Sequence, residues 1–275
     1  MTNGPVRTVA AVHDLSGVGR CALTVAIPVI SAMGAQVCPA ITAALSAHTE
    51  FKDVEMIDLT DFLGRALAAW ERMGLKFDAV YTGYLGSPRQ VDLISRFMDS
   101  QPQALKIVDP VMGDEGRLYS AIDASMAEAM GKLCKKAHVV TPNMTEYAYL
   151  VGEEYSMRPR TAAEIEAMLF RLDAPSAVIT SVPYGDSMVN ACRDDQGCVH
   201  LLPYKRMNRR YPGTGDLFAS VLCGALVGGD SLPRAVGRAA EYVSHTIEVS
   251  MDIDIPSNFG VQLERTLPML LRGEI

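Results

Sequence analysis

Apolar runs rich in valine and isoleucine recur along this chain at residues 6–12, 36–41, 79–81, 106–109, 138–141 and 177–180. Amphipathic stretches of helical period lie between them, at 21–33, 59–73, 88–99, 123–136, 144–151 and 162–171. A strand that returns to its sheet through a helix runs parallel to its predecessor, and a parallel sheet needs helical cover on both faces. The alternation therefore predicts an α/β fold of three layers, α/β/α, with a mainly parallel central sheet. Two more helices are expected at 216–227 and 232–249. Between 187 and 203 the pattern changes to two short runs around Asp194-Asp195-Gln196-Gly197, which predicts an antiparallel edge hairpin.

No repeat, low-complexity tract or linker divides the 275 residues, so a single domain over 1–275 is expected. No apolar run is long enough to span a bilayer, and residues 1–5 lack the basic start and long apolar stretch of a signal peptide. A soluble protein of the cytoplasm, with no membrane partner, is the expectation. The net charge of −7, with basic residues scattered apart from Lys205, Arg206, Arg209 and Arg210, argues against a nucleic-acid partner. The six cysteines form no Cys-x-x-Cys pair, so neither a zinc site nor a disulfide framework is indicated.

In a sheet of this kind ligands bind beyond the carboxyl ends of the strands. Polar and small residues gather there in this sequence. The first run leads into His13-Asp14-Leu15-Ser16-Gly17-Val18-Gly19-Arg20, the third into Thr82-Gly83-Tyr84-Leu85-Gly86-Ser87, and the fourth into Asp109-Pro110-Val111-Met112-Gly113-Asp114. The fifth leads into Thr141-Pro142-Asn143-Met144-Thr145-Glu146 and the sixth into Thr180-Ser181. Singly, Asp14 and Asn143 could be helix caps and Glu146 a first-turn charge preference. Together at one sheet edge they suggest a site. Asp109 and Glu146 are hard oxygen ligands of the kind magnesium takes alongside substrate phosphates.

Further on, Gly213-Thr214-Gly215-Asp216 opens a strongly apolar helix. Glycines let the backbone approach a ligand closely, and the amides at a helix start favour an anion. An acid beside such an anion hole has two readings. It can serve as a general base that takes the proton of an alcohol during phosphoryl transfer, or simply as the N-cap of the helix. A P-loop is excluded because Gly131-Lys132 is followed by Leu133, and a dinucleotide fingerprint because position 218 is phenylalanine. The five histidines show no metal-binding spacing, although His48 follows the second strand and could face the same cleft. There is no Gly-x-Ser-x-Gly elbow of a serine hydrolase.

Taken in order, these segments, with Ser46-Ala47-His48-Thr49, resemble the ribokinase-like superfamily, and within it the pyridoxal and pyridoxamine kinases of vitamin B6 salvage. The resemblance covers nearly the whole chain. It implies ATP and magnesium as cofactors, a B6 vitamer as the small-molecule partner, and a homodimer. Asp216 would be the base for the 5′-hydroxymethyl group, with Gly213, Thr214 and Gly215 supplying the anion hole. Asp109 and Glu146 would act near magnesium and the phosphates, Asn143, Thr180 and Ser181 would line the nucleotide side, and Thr49 and Tyr84 would face the pyridine ring. Residues 113–119 would be the loop that folds over the phosphates, freed to move by Gly113 and Gly116. Asp14 departs from the serine usual in pyridoxal kinases and resembles the hydroxymethylpyrimidine kinases of thiamin synthesis. It could pair with a protonated ring nitrogen or amine. A pyrimidine kinase and a non-catalytic vitamin or nucleotide sensor therefore stand as alternatives.

Overall fold

The computed structural model describes residues 4–119 and 122–275; the first three residues of the segment read as leaderless lie outside it. In chain order β1 (Arg7–Ser16), α1 (Leu23–Ala32), β2 (Ala35–Leu45) and β3 (Met56–Asp58) come first. They are followed by α2 (Thr60–Arg72), β4 (Ala79–Thr82), α3 (Pro88–Ser100), β5 (Leu105–Val108), β6 (Gly113–Asp114) and β7 (Arg117–Leu118). Next are α4 (Ala124–Cys134), β8 (Val139–Val140), α5 (Met144–Val151), α6 (Ala162–Phe170) and β9 (Ser176–Tyr184). The chain ends with β10 (Ser187–Arg193), β11 (Val199–Tyr204), α7 (Thr214–Gly228), α8 (Leu232–Met251) and α9 (Leu263–Arg272).

Nine strands form one sheet in the order β11-β10-β9-β8-β5-β4-β1-β2-β3. The six from β9 to β2 are parallel, while the β10–β11 hairpin and β3 add antiparallel edges. Successive side chains of a strand point to opposite faces, and here both sets are buried. Val9 and Ala11 pack under α1, α7, α8 and α9, whereas Ala10 and Val12 pack under α2 to α6. The three-layer expectation is met, and the edge hairpin falls where the sequence placed it.

Helix starts follow local chemistry. Ser87 caps α3 by accepting from the Gln90 amide, with Pro88 in the first turn where its missing N–H costs nothing. Asn143 and Glu146 form a reciprocal capping box on α5. Among the described residues no helix is long and apolar enough to cross a membrane.

Four parts of the chain differ from expectation. Strand β1 continues past residue 12 to Ser16, because β2 also runs on through Thr42, Ala43 and Ala44 and pairs with it, with a register shift between His13 and Leu15. His13 and Asp14 thus sit inside a strand, so Asp14 is no helix cap. Strand β3 and helix α9 were not expected: the first is only three residues long and the second contains Pro268. The segment 113–119, expected as a loop, forms the β6–β7 hairpin, with Glu115 and Gly116 at φ 51 and 80 in the turn.

Candidate active site

Helix α7 begins with Gly213 as N-cap, at φ 75 in the left-handed region. Glycine is required here twice over, because a Cβ would also overlap the carbonyl oxygen of Arg20. Gly215 is different. It is exposed, its φ is unexceptional, and outside its own helical turn no protein atom lies within 4 Å of where its Cβ would be. Packing does not demand a glycine there; open space above the first turn does suit a ligand approaching the amides of Thr214, Gly215 and Asp216. The Thr214 hydroxyl donates to the Tyr211 carbonyl at 3.2 Å, which braces the turn.

Asp216 lies in the first turn of α7, three residues after the N-cap, and its side chain makes no capping bond to the helix. The N-cap reading fails for that reason. Its Oδ2 accepts from the Ala22 amide at 2.8 Å and its Oδ1 faces His13 Nε2 at 3.0 Å. Ala22 has φ 51 and ψ −133, an unfavourable conformation for a residue with a Cβ, and the strained peptide aims its N–H at this carboxylate. The Asp216 side chain is 14% exposed, so the acid reaches solvent from one side.

His13 was absent from the sequence-based site and is central to it. On its other side, Nδ1 lies 2.9 Å from Asp14 Oδ1, while the amides of Asp14 and Tyr84 point at the same nitrogen from 3.0 and 3.2 Å. The ring thus has a partner in either protonation state. Burial alone would favour the neutral ring, but the hydrogen bonds and charges of Asp14 and Asp216 outweigh it and lift the pKa to about 10. Burial likewise opposes the Asp14 carboxylate, and the hydrogen bonds from His13 and Ser16 hold it below its ordinary value. Both Asp14 oxygens are therefore engaged within the protein, one by His13 and one by Ser16.

This arrangement predicts a pH-dependent stability. The unfolded ring loses its proton near 6.5 and the folded one near 10. Between those values only the folded state holds the proton, so the stabilisation is complete below pH 6.5 and is lost as pH rises towards 10. The urea midpoint of the wild type is expected to fall from pH 7 to 10 more steeply than that of His13→Gln. Parallel curves would show that the folded ring is neutral.

Beside Asp216, at the end of β5, Asp109 is buried and accepts from the Thr141 hydroxyl at 3.1 Å. Burial and then the charge of Asp216 push its pKa up to about 7. Glu146 is pushed well above its usual range by burial and then by Asp109. Its two oxygens accept from the amides of Met112 and Asn143 at 3.2 and 2.8 Å. Two buried hard-oxygen groups, each disfavoured as an anion by burial and by a neighbouring carboxylate, are a donor set that fits a magnesium ion. Among the described residues no three acidic, histidine or cysteine groups are placed to hold a metal by themselves, so phosphate oxygens would have to complete the shell.

Asn143 donates to the Gly113 carbonyl at 2.9 Å and bridges Thr180 through the backbone. The β6–β7 hairpin is held from both sides: Thr145 accepts from the Gly116 amide, and Arg210 bridges Asp114 and Glu115 at 2.8 Å each. Ser181 sits in β9 at φ 57, its amide bonded to Asn190 and its hydroxyl to Tyr204. Tyr84 is half-buried, its phenol pushed up by burial and by the charges of Asp14 and Asp58. Thr49 is exposed and makes no hydrogen bond to the acid cluster among the described residues. His48 does not face the cluster; its ring packs on Phe51 and its Nε2 lies 2.6 Å from the Asn258 carbonyl.

A mainly parallel sheet whose strand ends carry two buried carboxylates and a glycine-opened helix with its own acid defines a kinase of the ribokinase-like superfamily. More particularly, the chain belongs to the phosphomethylpyrimidine kinase family, whose model matches residues 24–260. Its structure is similar to that of a Bacteroides thetaiotaomicron protein, provisionally described as a phosphomethylpyrimidine kinase and crystallised with pyridoxal. The two share 42% identity over 97% of this chain and 96% of that one, with a TM-score of 0.92. The pyridoxal kinase of Lactobacillus plantarum is 32% identical over 98% of both chains, with a TM-score of 0.89. The pyridoxine/pyridoxal/pyridoxamine kinase of Bordetella avium is 35% identical over 60% of this chain; the match spans 58% of that protein, less than two thirds of its length.

Proposed function

We propose that this protein is a single-domain, ATP-dependent kinase that phosphorylates the 5′-hydroxymethyl group of a vitamin B6 vitamer, pyridoxal, pyridoxine or pyridoxamine. The observation that carries this reading is the pairing of Asp216 with the open space over Gly215. Asp216 accepts the alcohol proton as the alcohol oxygen bonds to the terminal phosphorus and the bond to the ADP oxygen breaks. The amides of Thr214, Gly215 and Asp216 face the transferring group. Asn143, Thr180 and Ser181 line the nucleotide side, and Thr49, Tyr84 and Asp14 the ring side. Asp109 and Glu146 would hold magnesium, which when bound offsets phosphate charge. A homodimer in the cytoplasm belongs to the same proposal, as an implication of the family resemblance.

The description of the matching family, with Asp14-Leu15-Ser16-Gly17, favours a second reading, a hydroxymethylpyrimidine kinase. An ADP-release assay with the three vitamers and the pyrimidine alcohol at equal concentration separates the two. Turnover of a vitamer is expected to be fastest, to stop with a chelator and to return with magnesium. A clear preference for the pyrimidine would select the second reading. Vitamer binding without ADP release would leave a sensor.

A further inference from the structure

We propose that His13 is a positioning residue for the reaction: clamped between Asp14 and Asp216, it fixes the orientation of the Asp216 carboxylate and balances its charge against the neighbouring Asp109. This rests on Asp216 being the base proposed above. The geometry has three independent parts. First, Asp216 Oδ1 is met by His13 Nε2 at 3.0 Å while Oδ2 is met by the Ala22 amide at 2.8 Å, so the carboxylate is held at both oxygens. Second, the ring itself is held, by Asp14 on Nδ1, and Asp14 in turn accepts from Ser16 at 2.9 Å. Third, the ring occupies space that only a glycine at 83 leaves, since a Cβ there would overlap His13 Nε2. Gly83 is thus explained by the ring.

The groups that face His13 come from four elements. Asp14 shares its strand, Tyr81 on β4 meets the ring edge to face at 6.5 Å, Asp109 after β5 feels the charge of the ring, and Asp216 stands on α7. Tyr81 and the nearby Cys21 thiol are both pushed up by burial and then by carboxylate charge, so both stay neutral and add no charge. His13 is the positive group of this cluster. Without it, Asp14, Asp109 and Asp216 would face one another with no counter-charge between them.

The test is a double-mutant cycle on kcat with a vitamer, using His13→Gln, Asp216→Asn and the double variant. Glutamine keeps a donor near Nε2 and removes the charge. His13→Gln is expected to lower kcat by about 10- to 100-fold, the size of one charge-assisted hydrogen bond to the carboxylate. In the Asp216→Asn background the same change should cost less than about threefold, because the group it acts through is gone. Asp14→Asn, which leaves the ring in place, should bring the alkaline limb of kcat, taken relative to the variant's own maximum, down by about one to two units from near 10. A His13→Gln kcat within about twofold of wild type, an equal loss in both backgrounds, or an unmoved alkaline limb in Asp14→Asn would each overturn the proposal. Should His13→Gln not fold, the Asp14→Asn profile decides alone. A wild type inactive on every vitamer defeats the proposed function and not this assignment, which then moves to whichever alcohol is turned over.

Discussion

Asp216→Asn is expected to lower kcat by about a hundred- to ten-thousandfold, the range for a positioned base, while leaving nucleotide binding in place. The substitution preserves volume, and the backbone of α7 does not depend on this side chain, which makes no capping bond. It does disturb the neighbours. Asparagine has one acceptor oxygen where the carboxylate has two, so either the Ala22 amide or His13 Nε2 loses its partner. An unpaired buried donor costs about 1–3 kcal/mol, and the melting temperature should drop by several degrees without loss of cooperativity. Turnover by ADP release, nucleotide affinity by calorimetry and a thermal melt check the three parts. Near-normal turnover would pass the base role to another group of the cluster, such as Asp109.

Gly213→Ala should be the most damaging single methyl in the site, and Gly215→Ala, two residues on, should leave the fold intact. At 213 the new Cβ enters a left-handed conformation, costing about 1–2 kcal/mol, and overlaps the Arg20 carbonyl, an overpacking of about 1–3 kcal/mol. A combined loss of about 3 kcal/mol lowers the melting temperature by roughly 6–12 °C in a chain of this size. At 215 the methyl meets nothing in the protein and replaces a poor helix former with the best one, so stability should hold or rise by about 0.5–1 kcal/mol. Activity should nonetheless fall, because the methyl occupies the space over the first-turn amides. The decisive comparison is kcat/KM for ATP in Gly215→Ala: an unchanged value would mean that no phosphate comes close to this turn.

Much of the site was legible because its residues sit at strand ends, where polarity stands out against apolar runs. Asp109, Asn143 and Glu146 emerged that way, and Asp216 from the glycines that open an apolar helix; in the structure Asp109 feels the charge of Asp216, and Glu146 that of Asp109. His13 did not, although it stands beside Asp14 in the same motif. A lone histidine carries no spacing signal, and its partner Asp216 is 203 residues away, beyond any periodicity. The one available sign was the glycine at 83, whose reason is the ring. Asp14 was identified, but its pairing with His13 and Ser16 was not. Boundaries failed where backbone pairing outlasts the apolar pattern, as in β1 beyond residue 12 and β2 through Thr42 and Ala43. Helix α9 was hidden by Pro268, which signals a break in the sequence but is accommodated inside a helix whose other face packs on the core.

The hydrogen bond between His13 and Asp216 joins residues 203 positions apart in the sequence. Until β1 and α7 have docked, the imidazole has only Asp14 to hold. On the function proposed above, a partly folded chain with α7 undocked would carry most of the sheet and no aligned base, so activation of the alcohol is tied to completed tertiary structure.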